Sequence, residues 1–242
     1  MGSENNVLVI NMARAVHYQL SYINTVSRTD VLAESYFKLP AIDYIERHPN
    51  LGYNVFLEYP HPVFKYRRID ISWGKGKAEA PSTFMEMKFV KAETAGISEQ
   101  QRFYNDLARL AAILAIRDKT HCFFLASGLK LNWEECFIYA YKPGQTTTET
   151  RATKSGEKKK NNRKVKSIYQ KWFSFDSKNP GKIISIKKND CWNKAFLDEY
   201  ETRDITNKCI LNRIKTRLLW ISETDSNSLQ DNTMTAIWEI KR

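Results

Sequence analysis

Between residues 64 and 128 the order of chain segments narrows the fold more than any other feature. Two stretches rich in β-formers, Phe64 to Trp73 and Ser82 to Val90, flank a Gly74-Lys75-Gly76 turn and read as paired strands. Ser98-Glu99-Gln100-Gln101 then has the Ser-x-x-Gln form of a capping box. It opens a helix in which Phe103, Leu107, Leu110, Ala111 and Leu114 recur at helical spacing. His121 to Ser127 is a continuous apolar run closed by Gly128, the pattern of a strand buried on both faces. A strand after a long helix implies a crossover within one sheet, so the expected fold class is α/β, a mixed central sheet flanked by helices.

The flanking segments are read in the same way. Val7 to Val26 and Asp30 to Lys38 are helical, with Asp30 as the second N-cap; Pro40 interrupts that pattern, and Ala41 to Arg47 forms a further short turn. Asn54 to Tyr59 is a strand. After Gly128 the chain becomes a β-rich elaboration: a hairpin of Trp172 to Phe175 with Ile183 to Lys187, a helix over Asp190 to Tyr200, and a last strand pair, Arg217 to Ser222 with Thr235 to Lys241. The expected organisation is a core over residues 1–128, N-terminal helices included, and an elaboration over 129–242 packed on the same domain.

Composition excludes several classes. With 12 Phe, 12 Tyr and 6 Trp in 242 residues the chain can bury a sizeable core, which argues against disorder throughout. The longest apolar run, Leu110 to Ile116, is far short of the roughly 20 residues that a bilayer demands, and no leader pattern opens the sequence, so a cytoplasmic protein without membrane contact is expected. Cys122, Cys136, Cys191 and Cys209 are widely spaced, without a zinc-type pair, and read as reduced thiols. The net charge of +11 is local in origin: between Arg151 and Lys171 nine basic residues stand against Glu157 alone, and that stretch supplies +8. Lys142 to Lys166 carries no periodicity and reads as a mobile loop, so the basic loop spans about 142–171.

The chemistry-bearing residues lie on the first strand pair. Asp70 sits among apolar neighbours on one strand, and Glu86 and Lys88 share a face of the other, since residues two apart on a strand point the same way. Three charges converging beside an apolar sheet need compensation, and a divalent cation held by both carboxylates supplies it. Asp70, then Glu86-Met87-Lys88, then a helix resembles the PD-(D/E)XK, or restriction-endonuclease-like, nuclease superfamily. The resemblance covers roughly Asp30 to Ser127, and Ile69 stands where that pattern often has Pro. It implies a restriction-endonuclease-like core and metal-dependent phosphodiester hydrolysis. Asp70, Glu86 and the Met87 carbonyl would ligate Mg²⁺, with Mn²⁺ as a possible substitute, and Lys88 would orient or activate the attacking water. Glu34 resembles the acidic residue that the family supplies from a preceding helix. Gln100 and Tyr104 match a Gln-x-x-x-Tyr helix motif that helps place the substrate strand, although Tyr104 also fits simple helix packing.

The implied activity is a DNA endonuclease of restriction or phage-defence type, DNA rather than RNA, acting as a homodimer with one site per strand. Arg67, Arg68 and Lys91 flank the site and suit either phosphate contacts or solvated strand-edge charge. Lys158, Lys159, Lys160, Arg163 and Lys164 could track a nucleic-acid backbone, with Tyr169, Trp172 and Phe173 as stacking faces. The rival reading keeps the fold without catalysis, as a nucleic-acid-binding module or a defence-system interaction protein.

Overall fold

The computed structural model describes residues 2–26, 34–48, 52–75, 80–90, 97–133, 136–137, 139–141, 164–166, 169–185, 213–222 and 233–241. Two helices, α1 (Gly2–Thr25) and α2 (Glu34–Glu46), precede three strands, β1 (Tyr53–Pro60), β2 (Arg68–Lys75) and β3 (Thr83–Val90). Then come α3 (Ile97–Ile116), β4 (His121–Leu129), the single turn α4 (Lys130–Trp133), β5 (Tyr139–Tyr141), β6 (Lys164–Lys166) and the single turn α5 (Tyr169–Trp172). The strands β7 (Gly181–Ser185), β8 (Arg213–Ile221) and β9 (Thr233–Lys241) follow. Seven strands form one mixed sheet in the order β1-β2-β3-β4-β9-β8-β7, and β5 pairs with β6 apart from it.

The α/β architecture follows from the pairing. Among the described strands only β3 and β4 run parallel, from Thr83 opposite His121 to Val90 opposite Gly128, and the amphipathic helix α3 makes the crossover that a parallel pair requires. β4 is buried along both faces because helices cover it on each side. Phe103, Leu107, Leu110 and Phe124 belong to the cluster on the α3 face, while Met12, Val16, Phe37, Met85, Met87 and Leu125 form the cluster beneath α1 and α2. Of the described strands after Gly128, β7, β8 and β9 continue the central sheet, since β9 pairs with β4 along its length and with β8 on its other side.

Several sequence expectations are corrected. Pro40 does not break α2, which runs through it. The one backbone bond lost there is offset by burying Phe37, Ala41, Ile42 and Ile45 against the sheet. The second strand starts at Arg68 rather than Phe64. His61 Nδ1 accepts the amides of Val63 and Phe64, and Arg67 N donates to Phe64 O, which closes a loop before the strand can form. Trp172 to Phe175 does not pair with Ile183; β7 pairs with β8 instead, and Tyr169, Trp172 and Phe173 are 0%, 5% and 1% exposed around Phe137 and Trp238. Those three rings belong to the core and offer no stacking face. Cys122 and Cys136 are buried free thiols. The expected helix over Asp190 to Tyr200, together with Cys191 and Cys209, lies outside the described residues.

Candidate metal centre

The sheet opens at Asp70. The β2–β3 ladder ends at Ile71 opposite Met85, and on the other side β1 pairs at Leu57–Ile71 and Tyr59–Ile69 but skips Glu58, whose φ of 48° is left-handed. Ile69 packs in the α3-face cluster, whereas Ile71 and Trp73 pack in the opposite one. Residues two apart should share a face, so β2 rotates at Asp70. The amide of Met87, beyond the end of the ladder, donates to Asp70 Oδ2 at 2.7 Å. In extended backbone the N–H and C=O of one residue point to the same edge, so the Met87 carbonyl faces the same opening.

Glu86 and Lys88 point to the α3 side, as their alternation with Met85, Met87 and Phe89 predicts. Around them the structure assembles a chain of alternating charge that was only half legible. Lys38 Nζ lies 2.8 Å from Asp70 Oδ1 and also pairs with Glu58. Arg109, on α3, reaches Glu86 Oε1 at 3.3 Å and pairs with Asp106, whose other oxygen is 3.1 Å from Lys88 Nζ. Asp106 is 2% exposed and Glu86 3%. Burial pushes the Glu86 carboxyl well above the usual carboxylate range, and the negative charges of Asp70 and Asp106 push it further, against the opposing pull of Arg109. Four carboxyls, Glu58, Asp70, Glu86 and Asp106, thus meet three cations, Lys38, Lys88 and Arg109, in these ion pairs.

Two oxygen ligands and a main-chain carbonyl at one opening suit a hard divalent cation, since Mg²⁺ is usually held by one or two carboxylates and keeps several waters. Among the described residues no group of three His, Cys, Asp or Glu side chains is placed to hold a metal, so the candidate donors at this opening are two carboxyls, Asp70 and Glu86, and the Met87 carbonyl. A cation there would take the place of the Glu86 proton and answer the charge that burial now suppresses.

The remaining expected site residues fall into two groups. Glu34 opens α2, but its side chain lies outside the described residues; on the same helix it is Lys38, one turn further on, that reaches Asp70. Gln100 is half-buried in the first turns of α3. Tyr104 is 2% exposed and packs on Trp172 at 5.9 Å, as its packing alternative required. Arg67 is half-buried and Arg68 exposed, its guanidinium donating to Glu58 O at 3.0 Å. Lys164 lies on β6, with its side chain outside the described set, and Lys91, Lys158, Lys159, Lys160 and Arg163 lie outside it altogether.

Sequence reasoning missed Lys38, Glu58, Asp106 and Arg109. Asp106 had a signal, a carboxylate three residues after Phe103 on the buried stripe of an amphipathic helix, with an Arg at i+3. Lys38 had none. Comparisons of the chain with protein-family models, with curated proteins and with solved structures find no match.

Proposed function

We propose that the protein is a metal-dependent nuclease that hydrolyses DNA phosphodiester bonds, an endonuclease of restriction or phage-defence type. One observation carries the reading: Asp70, Glu86 and the main chain of Met87 meet where the sheet opens, and Lys88 projects from the same strand on the Glu86 side. Bound there, Mg²⁺ would lower the pKa of a water and neutralise charge building on the phosphorus. The chain's own residues do the positioning. Met87 N fixes one Asp70 oxygen and leaves the other toward Lys38. Asp106, itself held by Arg109, keeps the Lys88 ammonium at the site to orient a water or a phosphate oxygen.

The Lys38–Asp70 and Arg109–Glu86 contacts favour a second reading, in which the charge network is complete without a cation and the protein binds nucleic acid without cutting it. The experiment that separates the two is cleavage of supercoiled plasmid, linear duplex, single-stranded DNA and RNA with Mg²⁺, Mn²⁺ or EDTA, run beside Asp70→Ala and Lys88→Ala. Metal-dependent cutting lost in both variants is the expected result. Binding without cutting in every condition would select the non-catalytic reading, and cutting retained at wild-type rate by Asp70→Ala would remove Asp70 from the chemistry.

A further inference from the structure

A second feature lies on the opposite side of the sheet from α3, far along the strand order from Asp70. Register slips by one residue in β8 between Leu218 and Trp220. Before the slip Ile214, Thr216 and Leu218 point to the α3 face, and Leu218 joins its core cluster. After it Trp220 packs on the α1 face instead, so the bulge re-aims this indole, a common use of bulges beside binding sites.

Trp220 forms the floor of a groove of about 440 Å³ whose wall is the second half of α1, lined by Arg14, His17, Tyr18, Ser21 and Tyr22. Arg14, Tyr18 and Tyr22 recur every four residues and so form one stripe along the helix. The Arg14 guanidinium lies over the Trp220 ring at 5.9 Å, and the His17 ring meets it edge-on at 6.0 Å. Tyr18 and Tyr22 are 77% and 57% exposed, so two large rings on one stripe are open to a ligand.

Charge continues from the groove along β8, on residues three to seven positions before Trp220 that do not line it, and says what covers it. By alternation with Ile214, Thr216 and Leu218, the side chains of Arg213, Lys215 and Arg217 share the α1 face of β8, where Arg213 and Lys215 are exposed and Arg217 meets Glu239. Aromatic faces in line with cations are the recognition chemistry of single-stranded nucleic acid: bases stack on the rings, and phosphates track the positive charge. An acidic peptide would use the cations and leave the tyrosine stripe idle, and a duplex would present no base faces to it.

We propose that the groove between α1 and β8 binds a single strand of nucleic acid, with bases on Tyr18, Tyr22 and Trp220 and phosphates against Arg14, Lys215 and Arg217. The site is separate from the Asp70 opening and needs no metal. If the protein cuts DNA, the groove holds a displaced or single-stranded stretch of substrate.

The test measures fluorescence anisotropy of labelled dT20, rU20 and a duplex of equal length in EDTA, using the full chain carrying Asp70→Ala so that nothing is cut. Tyr18→Ala/Tyr22→Ala removes two exposed side chains and should weaken single-strand binding by at least about thirtyfold, with little change for duplex. Lys215→Glu should weaken it and lower its salt dependence. Equal loss for dT20 and rU20 would assign the groove to single strands in general, and unequal loss to the sugar more affected. Crosslinking of a 5-iodouridine oligonucleotide should map to Tyr18, Tyr22 or Trp220. Unchanged affinity in the double variant, crosslinks confined to residues 151–171, or no wild-type binding at low salt would overturn the proposal. Failure of the nuclease reading looks different: no cutting under any condition, with the groove still binding.

Discussion

Lys38 Nζ stands 2.8 Å from Asp70 Oδ1, the carboxylate oxygen that the Met87 amide leaves open. Burial works against the Lys38 charge, but Asp70 and Glu58 more than restore it, so the ammonium persists and occupies the place where a cation would meet Asp70. A lysine and a divalent ion at one oxygen compete.

Lys38→Met should therefore bind divalent cation more tightly. Two unit charges about 4 Å apart interact by about 4 kcal/mol at an effective dielectric near 20, and partial exposure of Lys38 reduces the net effect. Mn²⁺ affinity, followed by the electron paramagnetic resonance of free ion, should rise roughly tenfold. Equal or weaker binding would show that Lys38 supports the site rather than contests it.

Glu86 should make the metal-free protein less stable as pH rises. Its carboxyl, raised by burial and then by Asp70 and Asp106, keeps a proton that the unfolded chain has released above the ordinary 4.5. The folded state thus binds more protons than the unfolded one, and unfolding free energy falls with pH by up to about 1.4 kcal/mol per unit through this group. Glu86→Gln stays neutral and lacks that decline. Urea unfolding at pH 5 and pH 7 without divalent ions should show the wild-type advantage shrinking at the higher pH; two curves that fall in parallel would show Glu86 already ionised.

Arg109 holds two buried carboxyls at once. Arg109→Met should cost about 3 kcal/mol in urea unfolding, because Asp106 is left buried with Lys88 as its remaining ion-pair partner among the described residues. Adding Asp106→Leu should recover part of the loss by removing the carboxylate that Arg109 no longer answers, although Lys88 then loses this partner. A double variant no more stable than the single one would mean that Arg109 acts through packing of its stem.

Gly128 faces Val90 across the parallel strand pair, and a Cβ there would come within 2.7 Å of the Val90 carbonyl oxygen and 2.9 Å of its Cβ. Main chain cannot yield as a flexible side chain would, so Gly128→Ala should destabilise the fold by about 1–3 kcal/mol and spread the strands two residues from Lys88. Circular dichroism during urea unfolding measures the first effect. A variant as stable as wild type would show that β3 and β4 separate freely there.

The core was legible wherever local signals agreed. The cap and apolar stripe of α3, the two-sided apolar run of β4 and the alternation of Glu86 and Lys88 against Met85, Met87 and Phe89 all describe elements whose partners lie close in sequence. What was lost depends on distant partners. Nothing near Lys38 announces a carboxylate 32 residues away, and Pro40 reads as a break until the burial of Phe37 and Ile42 is known. Tyr169, Trp172 and Phe173 follow a basic run and so read as a stacking platform, but Phe137, Tyr104 and Trp238 respectively claim them for the core. Trp220 gave no signal at all, because its direction is set by a one-residue slip in strand pairing.

The insertion of β9 beside β4 sets a timetable for the chain as it is made. α1 is synthesised long before the late strands, and His17 and Ser21 find their hydroxyl partners on Thr235 and Thr233, 218 and 212 residues later. β4 likewise waits for β9, with about a hundred residues still to be added at roughly 5–20 per second. For some 5–20 seconds the nascent protein carries an unpaired edge flanked by Phe123, Phe124 and Leu125, and in that interval a chaperone, or a neighbouring chain on the same messenger, can reach it first.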